Sequence, residues 1–551
     1  IKINKMNNSL FSTVPVTRIA RSWHNLSHQV KSSFNGGALV PILTELSSPG
    51  STWHCPSMEQ FIRSMPMIAP VMDRVDVKAD AFFIPLRLIW DDFEDFITLG
   101  PSGEFNVEKP TIGVTNRTIQ SDSVVGLANS VFSTGGLADY LNFPYIHFTK
   151  NQETTFAIDA LPFRAYQLLY NEYYRNEALE EEIPIIKSSG HTDLIFDNTN
   201  LSPASFTHFL IQYRGWRKDY FTSALPYPQK GPAVRMPQSS DLTIKSDGNI
   251  QFTNLNGLSL SGNSKFVNES SGEPLPYTLR DNFNNPSAYL SGLKIENNTV
   301  PPTIEELRYA ETLQEFYEAN ARGGSRYKEY LLNIWHTRSK DARLDRPERI
   351  GGYRGPLTIS DIDQTSQSDI SPQATPAGKG LSSGSSRMFK YKTSEWGIFM
   401  VILSVQPKTS YYQGFRKWNL YNDVFDWPNP FFANLGEQEI KNLELYFVQD
   451  DTDGQNNDTF GYTPRFAEAK FIPDSVHGQF RDTLDYWHLA RKFSSRPHLN
   501  KAFVHVNPLE MARIFPDQVE DDNKFIGTFY FHLRVKMHLP YYGVPRLIHS
   551  I

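Results

Sequence analysis

Residues 525–537 carry the pattern that most restricts the fold. Phe525, Gly527, Phe529, Phe531, Leu533, Val535 and Met537 fall on one parity, and Ile526, Thr528, Tyr530, His532, Arg534 and Lys536 on the other. A period of two belongs to an extended strand whose side chains point alternately to opposite faces. One face of this strand is apolar enough to enter a core, while the other is largely polar and basic. Trp396 to Val405 is different, because its apolar character is unbroken, as in a strand buried on both faces. Strands of both kinds, without regular alternation of strand and helix, predict stacked antiparallel sheets rather than a βαβ fold. The 38 Phe and 26 Tyr among 551 residues agree, since aromatic rings suit a pleated, half-buried surface.

Along the chain, residues 1–25 lack periodicity and read as an extended basic arm. Segments 27–34 and 38–46 read as strands separated by Gly36-Gly37. Ser57 and Gln60 have capping-box spacing, which predicts a short helix ending at Met65. Val75, Val77, Ala79, Ala81 and Phe83 alternate with Asp76, Lys78 and Asp80 as a half-buried strand. Asp91–Leu99 reads as a short helix. Another should begin near Pro162, with Tyr166, Leu169, Tyr170, Tyr173 and Tyr174 as its apolar stripe. Residues 238–300 change character, because Ser, Asn and Gly supply 23 of the 60 residues in 241–300. Within this polar excursion, Leu242–Ile244 and Ile250–Phe252 flank Asp247-Gly248 and predict a hairpin. Thr303 and Glu306 form a second capping box before a helix with Ile304, Leu307, Leu313 and Phe316 turned inward. Residues 360–386 read as a long polar loop. The parts are therefore 1–25, 26–237, 238–300 and 301–551.

Catalytic signatures are missing from the sequence. It contains no Walker loop, no HExxH and no GxGxxG after a strand. Gly380-Leu-Ser382-Ser-Gly384 matches a nucleophile elbow, but in a Ser/Gly-rich setting without the strand and helix that motif needs. Asp451, Asp453 and Gly454 resemble part of a calcium loop. Its first and last ligand positions hold Gln449 and Phe460, so an acidic turn is expected, with weak calcium binding as the alternative. The lone Cys55 excludes an intramolecular disulfide framework and a cysteine zinc cluster. No signal-peptide pattern is evident, and the longest apolar run is half of what a bilayer span requires. No enzyme activity, metal or cofactor is expected.

Net charge is −6, yet both ends are basic. Lys2, Lys5, Arg18, Arg21 and Lys31 occur in the first 44 residues without an acid, and Lys524, Arg534, Lys536 and Arg546 in the last 29, again without one. The stretch between carries −15. Basic ends on an acidic body are the distribution expected of a chain whose termini face a polyanion.

Ten ordered segments resemble one family, the major capsid proteins of the Microviridae, especially the gokushovirus-like branch of small single-stranded DNA phages. They include LSHQVKSSFNGGALVP (26–41), PMIAPVMDRVDVKADAFFIPLRLIW (66–90), LPFRAYQLLYNEYYR (161–175), RGWRKDYFTSALPYPQKGPAV (214–234), FGYTPRFAEAKF (460–471) and LPYYGVPRLI (539–548). The resemblance implies one eight-stranded antiparallel jelly roll with long loop insertions and a few short helices. It also implies about sixty copies in a T=1 shell around circular single-stranded DNA. The virion would be assembled in the bacterial host cytoplasm without membrane insertion. The 238–300 excursion follows GPAV, where such coats carry their three-fold protrusion. Asp247, Gly248, Asn263 and Asn284 are accordingly candidate protrusion residues for a host surface receptor.

Genome-facing candidates are Lys2, Lys5, Arg18, Arg21, Trp23, Arg534 and Lys536, with Trp23 and Tyr530 as stacking surfaces. Tyr227, Trp427, Phe431 and Phe432, in proline-bounded aromatic segments, are candidate contacts between copies. Nine terminal cations on about sixty copies give roughly 540 charges, while a gene for 551 residues alone carries roughly 1,650 phosphates. A small basic DNA-binding protein, polyamines or metal cations should supply the remainder. A minor or pilot protein is a further expected partner. The competing reading is a carbohydrate-active or carbohydrate-binding β-sandwich, which would be a 63.0 kDa monomer with an aromatic cleft.

Overall fold

The computed structural model describes residues 21–542 except 102, 104–106, 119–121, 194–207, 235–242, 254–265, 268–277, 280–288, 297–302, 325, 364–375 and 517–522. The strands are β1 Ser22–Asn25, β2 His28–Phe34, β3 Val40–Ser47, β4 Thr52–Ser64, β5 Val75–Pro85, β6 Thr111–Thr118, β7 Glu153–Asp159 and β8 His191–Asp193. They continue with β9 Thr243–Thr253, β10 Phe266–Val267, β11 Thr278–Leu279, β12 Tyr289–Glu296, β13 Glu348–Asp363, β14 Pro376–Ser386 and β15 Phe389–Lys392. The last four are β16 Gly397–Pro407, β17 Glu437–Lys441, β18 Thr459–Pro464 and β19 Phe525–Met537. The chain divides into two compact units, Ile1–Pro228 with Gly323–Ile551, and Gln229–Arg322.

In the first unit a curled sheet runs in the order β1-β19-β4-β14-β13-β5-β16-β3, with β2 also on β19 and β15 on β4. All its pairings are antiparallel. β13 turns the corner. Its Glu348–Leu357 half pairs with β5, and its Thr358–Asp363 half with β14. Two layers result, β2-β19-β4-β14 and β13-β5-β16-β3. Between them lies the main core, with Phe34, Ile62, Phe529 and Phe531 from one layer and Val77, Phe83, Phe399 and Val401 from the other. This strand order is that of a jelly roll, with the short β1 and β15 added to the eight longer strands.

The two layers differ on their outer faces. Ile398, Met400 and Ile402 of β16, with Phe82 and Ile84 of β5, are covered by helices Asp122–Phe132 and Leu161–Leu169. That cover explains the unbroken apolar run of β16, whose residues are all buried. The stripe foreseen after Pro162 is present: Tyr166, Leu169 and Tyr170 are buried, and a π-helical turn over Tyr170–Tyr174 extends it. Among the described residues, the outer face of β2-β19-β4-β14 has no such cover, in keeping with the alternation of β19.

Three secondary-structure expectations are overturned. The segment after Ser57 is strand, not helix. Met58, Gln60, Ile62 and Ser64 are buried while Glu59, Phe61 and Arg63 are exposed, and ladders to β14 and β19 on both sides outweigh the local capping box. Residues 376–386 form β14 in mid-sheet instead of a loop. Glycine is needed there for close approach, since a Cβ on Gly378 would lie 2.4 Å from the Ala69 carbonyl oxygen. In the second unit β9 is a single strand through Asp247-Gly248, paired with β12. The surplus residues are absorbed as a bulge opposite Ser291–Leu293, so no hairpin turn forms.

The second capping box does form. Thr303 N–H donates to Glu306 Oε2 (2.8 Å) and Glu306 N–H to Thr303 Oγ1 (3.2 Å), opening helix Ile304–Gly323. Ile304, Leu307 and Phe316 are nevertheless exposed and Leu313 only half-buried, because no described element of this unit covers that face.

A buried carboxylate–imidazole contact ties the connection after helix Leu161–Leu169 to the one after β18. Glu180, whose side chain is 2% exposed, accepts from Tyr170 Oη (2.5 Å) and Asn176 N–H (3.1 Å) and pairs with His505. Burial alone would raise its pKa, but the hydrogen bond and charge of His505, with the Tyr170 and Asn176 donors, outweigh it and hold the carboxyl at about 2. Its folded value lies below the ordinary 4.5, so the stabilisation is present above that pH and lost as pH falls towards 2. The span corresponds to roughly 3 kcal/mol. In denaturant titrations between pH 6 and 2, Glu180→Gln should lower stability near neutrality and flatten the acid limb. An unchanged acid limb would remove Glu180 as its source.

Candidate nucleic-acid interface

The uncovered sheet face is built row by row from the pairing register. Lys536 lies between Trp23 of β1 and Thr52 of β4, and Lys392 of β15 continues that row. In the next row Arg534 lies between Asn25 and His54, followed by Lys390. Further along, Tyr530 has Gln29 and Glu59 as neighbours, Thr528 has Lys31 and Phe61, and Ile526 has Ser33 and Arg63. Pro56, which has no N–H to give, falls where the β4–β19 register shifts between His532 and Arg534. The irregularity lets β15 replace β14 beside β4 and brings Lys390 and Lys392 onto this face.

Charge on this face is one-sided. Lys31, Arg63, Lys379, Lys390, Lys392, Arg534 and Lys536 all occur in β1, β2, β4, β14, β15 and β19, whose only acid is Glu59. Glu59 is engaged by His532 at 2.8 Å. Rings stand among the cations. Trp23 is 49% exposed, with the Lys536 ammonium 5.9 Å from its centroid. The Arg63 guanidinium lies 4.7 Å over Phe61, and Tyr530 meets the His532 ring edge-on at 4.7 Å. Phe61, Tyr530, Gln29, Thr528, Ser383 and Ser385 border a shallow hollow of 480 Å³. Arg21 donates from Nε to His538 Nε2 (2.8 Å), fixing the entry to β1 beside the end of β19. Cations interleaved with half-exposed rings can hold phosphates and stack bases without reading sequence.

Arg21, Trp23, Arg534 and Lys536 are thus brought together, while Lys2, Lys5 and Arg18 lie outside the described residues, as do Asn263 and Asn284. Asp247 and Gly248 are on β9. Sequence reasoning misses Phe61, Arg63 and Lys379, because the Ser57 capping box predicts helix and 360–386 reads as loop, and it misses Lys390 and Lys392 because nothing in the sequence pattern marks β15. The alternation Met58, Gln60, Ile62, Ser64 was the available signal. Tyr227 is half-buried, Trp427 and Phe431 are exposed, and Phe432 packs on Phe425 at 5.3 Å.

Groups that suggested chemistry are otherwise engaged. Ser382 is buried in mid-strand, donating to the Pro356 carbonyl (2.9 Å) and accepting from Gln60 (3.3 Å). Asp451 accepts from the Asn456 and Gln455 backbone and pairs with Arg496 at 3.0 Å. Among the described residues, no cluster of three His, Cys, Asp or Glu could hold a metal ion, and no helix is long and apolar enough to cross a membrane.

Comparison with known proteins gives one answer. The family model described as "Capsid protein (F protein)" matches residues 12–547. Capsid protein VP1 of Chlamydia phage 1 is 30% identical, with 99% of each chain covered. VP1 of Bdellovibrio phage phiMH2K is 31% identical over 98% of each, and VP1 of Spiroplasma virus 4 is 27% identical over 99% of each.

Proposed function

Because the chain belongs to the capsid (F) protein family of the Microviridae, and is a structural virion component rather than an enzyme, we propose that about sixty copies close into a T=1 shell with the uncovered basic sheet face turned to a circular single-stranded DNA genome. The observation that carries the genome-facing part is the asymmetry of the jelly roll. One layer is capped by helices, and the other leaves a face with seven cations, one engaged acid and half-exposed rings. The face binds phosphate and stacks bases without sequence preference. The coat as a whole is still acidic: at −6 per copy, about sixty copies carry roughly −360. A small basic protein, polyamines or cations therefore complete neutralisation of the genome. A minor or pilot protein completes the particle, and the polar excursion 238–300 serves host attachment.

Expressed chain should sediment as particles of about 3.8 MDa, sixty times 63.0 kDa, and protect single-stranded DNA from nuclease. A 63.0 kDa monomer under all conditions would refute the shell. Particles with no affinity for single-stranded DNA would refute the assignment of the face.

A further inference from the structure

Residues 421–435 present aromatic side chains that a solitary chain has no reason to hold in water. Phe431 is 90% exposed, Val424 75% and Trp427 62%. They are nonetheless held firmly. Asp423 and Asp426 close a capping box around the turn Val424–Asp426, and Arg465 donates to the Phe425 carbonyl at 2.8 Å. Asn429 caps the turn Pro430–Phe432 by accepting from Phe431 N–H at 3.0 Å. Trp427 has φ −72° and ψ 137°, the polyproline II region, and prolines follow at 428 and 430. Exposed, preorganised rings beside prolines form a ligand already in its bound shape.

The same unit carries a matching receptor. A groove of 930 Å³ is walled by Tyr411, Tyr412, Phe415, Trp418, Phe447 and Phe471. A proline-bounded segment suits such a wall, because it presents rings and carbonyls with few N–H groups of its own to satisfy. Arg416, Arg481 and His477 stand at the rim. Asp474 is paired with Lys408 and Glu444 with Lys417, so Arg416 and Arg481 face the single carboxylate of Glu468, which accepts from Tyr421, and the balance is positive. Segment 424–431 carries Asp426, and Asp423 directly precedes the segment. Residues 424–431 do not line this groove, although Tyr421 just before them donates to Glu468 at its edge (2.7 Å).

We propose that segment 424–431 of one copy docks in the 411–418/447–477 groove of a second copy, as a head-to-tail contact that can propagate around a ring. Aromatic-lined grooves take proline-bounded segments in this way, and a heterologous contact closes into a ring when its rotation allows. The inference rests on self-assembly and names the contact that carries part of it.

The test uses full-length Phe431→Asp, which spoils the segment, and Ile472→Asp, which spoils the groove mouth at a position 80% exposed. Both should keep the melting temperature of the unaltered chain. Each alone should lose more than tenfold in association, the loss expected of an interfacial hot spot. Mixed in equal amounts they should form dimers but no shells, since only one intact segment meets one intact groove. Either variant assembling like the unaltered chain, or a mixture without dimers, would overturn the docking while leaving the capsid reading intact. An unaltered chain that never assembles would overturn both.

Discussion

Replacing Lys390, Lys392, Arg534 and Lys536 together by Gln should cut affinity for single-stranded DNA by roughly 200-fold near physiological salt. The magnitude comes from counterion release. Each phosphate contact to a single strand contributes about 0.7 to the slope of log affinity against log salt, so four lost contacts lower the slope by about 3. The four residues occupy two adjacent rows on the uncovered face and are exposed or only half-buried, so the fold should be little affected. Loss of the Lys536–Trp23 contact adds about 0.5–1 kcal/mol at most. Trp23→Ala and Tyr530→Ala should behave differently, weakening binding by about 1–3 kcal/mol per stacked base while leaving the salt slope unchanged. The measurement is DNA affinity over a salt series, with a thermal melt of each variant as control. A slope that stays put after all four substitutions would show that the genome contacts another surface.

The interface was half legible in the sequence for a physical reason. β19 announced itself because its neighbours take one face only, so alternation survives in the residues themselves. β16 was equally plain, since both its faces are buried. β14 was not, because its place in mid-sheet depends on the absence of side chains. Gly378, Gly380 and Gly384 admit Ala69, Leu357 and Tyr353 to close range, and a glycine-rich strand has the composition of a loop. β4 misled through a true local signal, Ser57 and Gln60, that lost to two flanking ladders. Helix Ile304–Gly323 shows the opposite limit. Its capping residues, Thr303 and Glu306, are legible in the sequence, but periodicity says only that one face is apolar, and not which element, if any, covers it.

Glu510→Ala should destabilise the chain by about 3–5 kcal/mol, more than any surface substitution considered above. Its partner Arg491 is 1% exposed. Arg491 donates from Nε and Nη2 to the two oxygens of Glu510 (2.9 Å each) and from Nη1 to the Phe503 carbonyl (2.9 Å). The rings of Trp216, Phe493 and Phe503 lie 5.0, 5.0 and 4.4 Å from the guanidinium carbon. Burial would depress the Arg491 pKa, but Glu510 more than compensates and the net shift is upward. Without the carboxylate, a cation would stay enclosed by rings and a carbonyl, with two donors unanswered. The double variant Arg491→Met, Glu510→Met should recover much of the loss, because an apolar pair leaves no orphaned charge in that space. A single-variant cost below about 1 kcal/mol, measured by denaturant unfolding, would show that water reaches the guanidinium. The location makes the cost matter to assembly. The connection from Lys408 to Lys524 is far longer than loops that persist without a core of their own. It has one, formed by Phe221, Ile440, Leu445, Phe460 and Phe503, and Arg491 is bonded to the Phe503 backbone at its edge. Hydrogen exchange in Glu510→Ala should therefore rise first across 408–515, loosening the groove and the aromatic segment together while β19 and β4 stay protected.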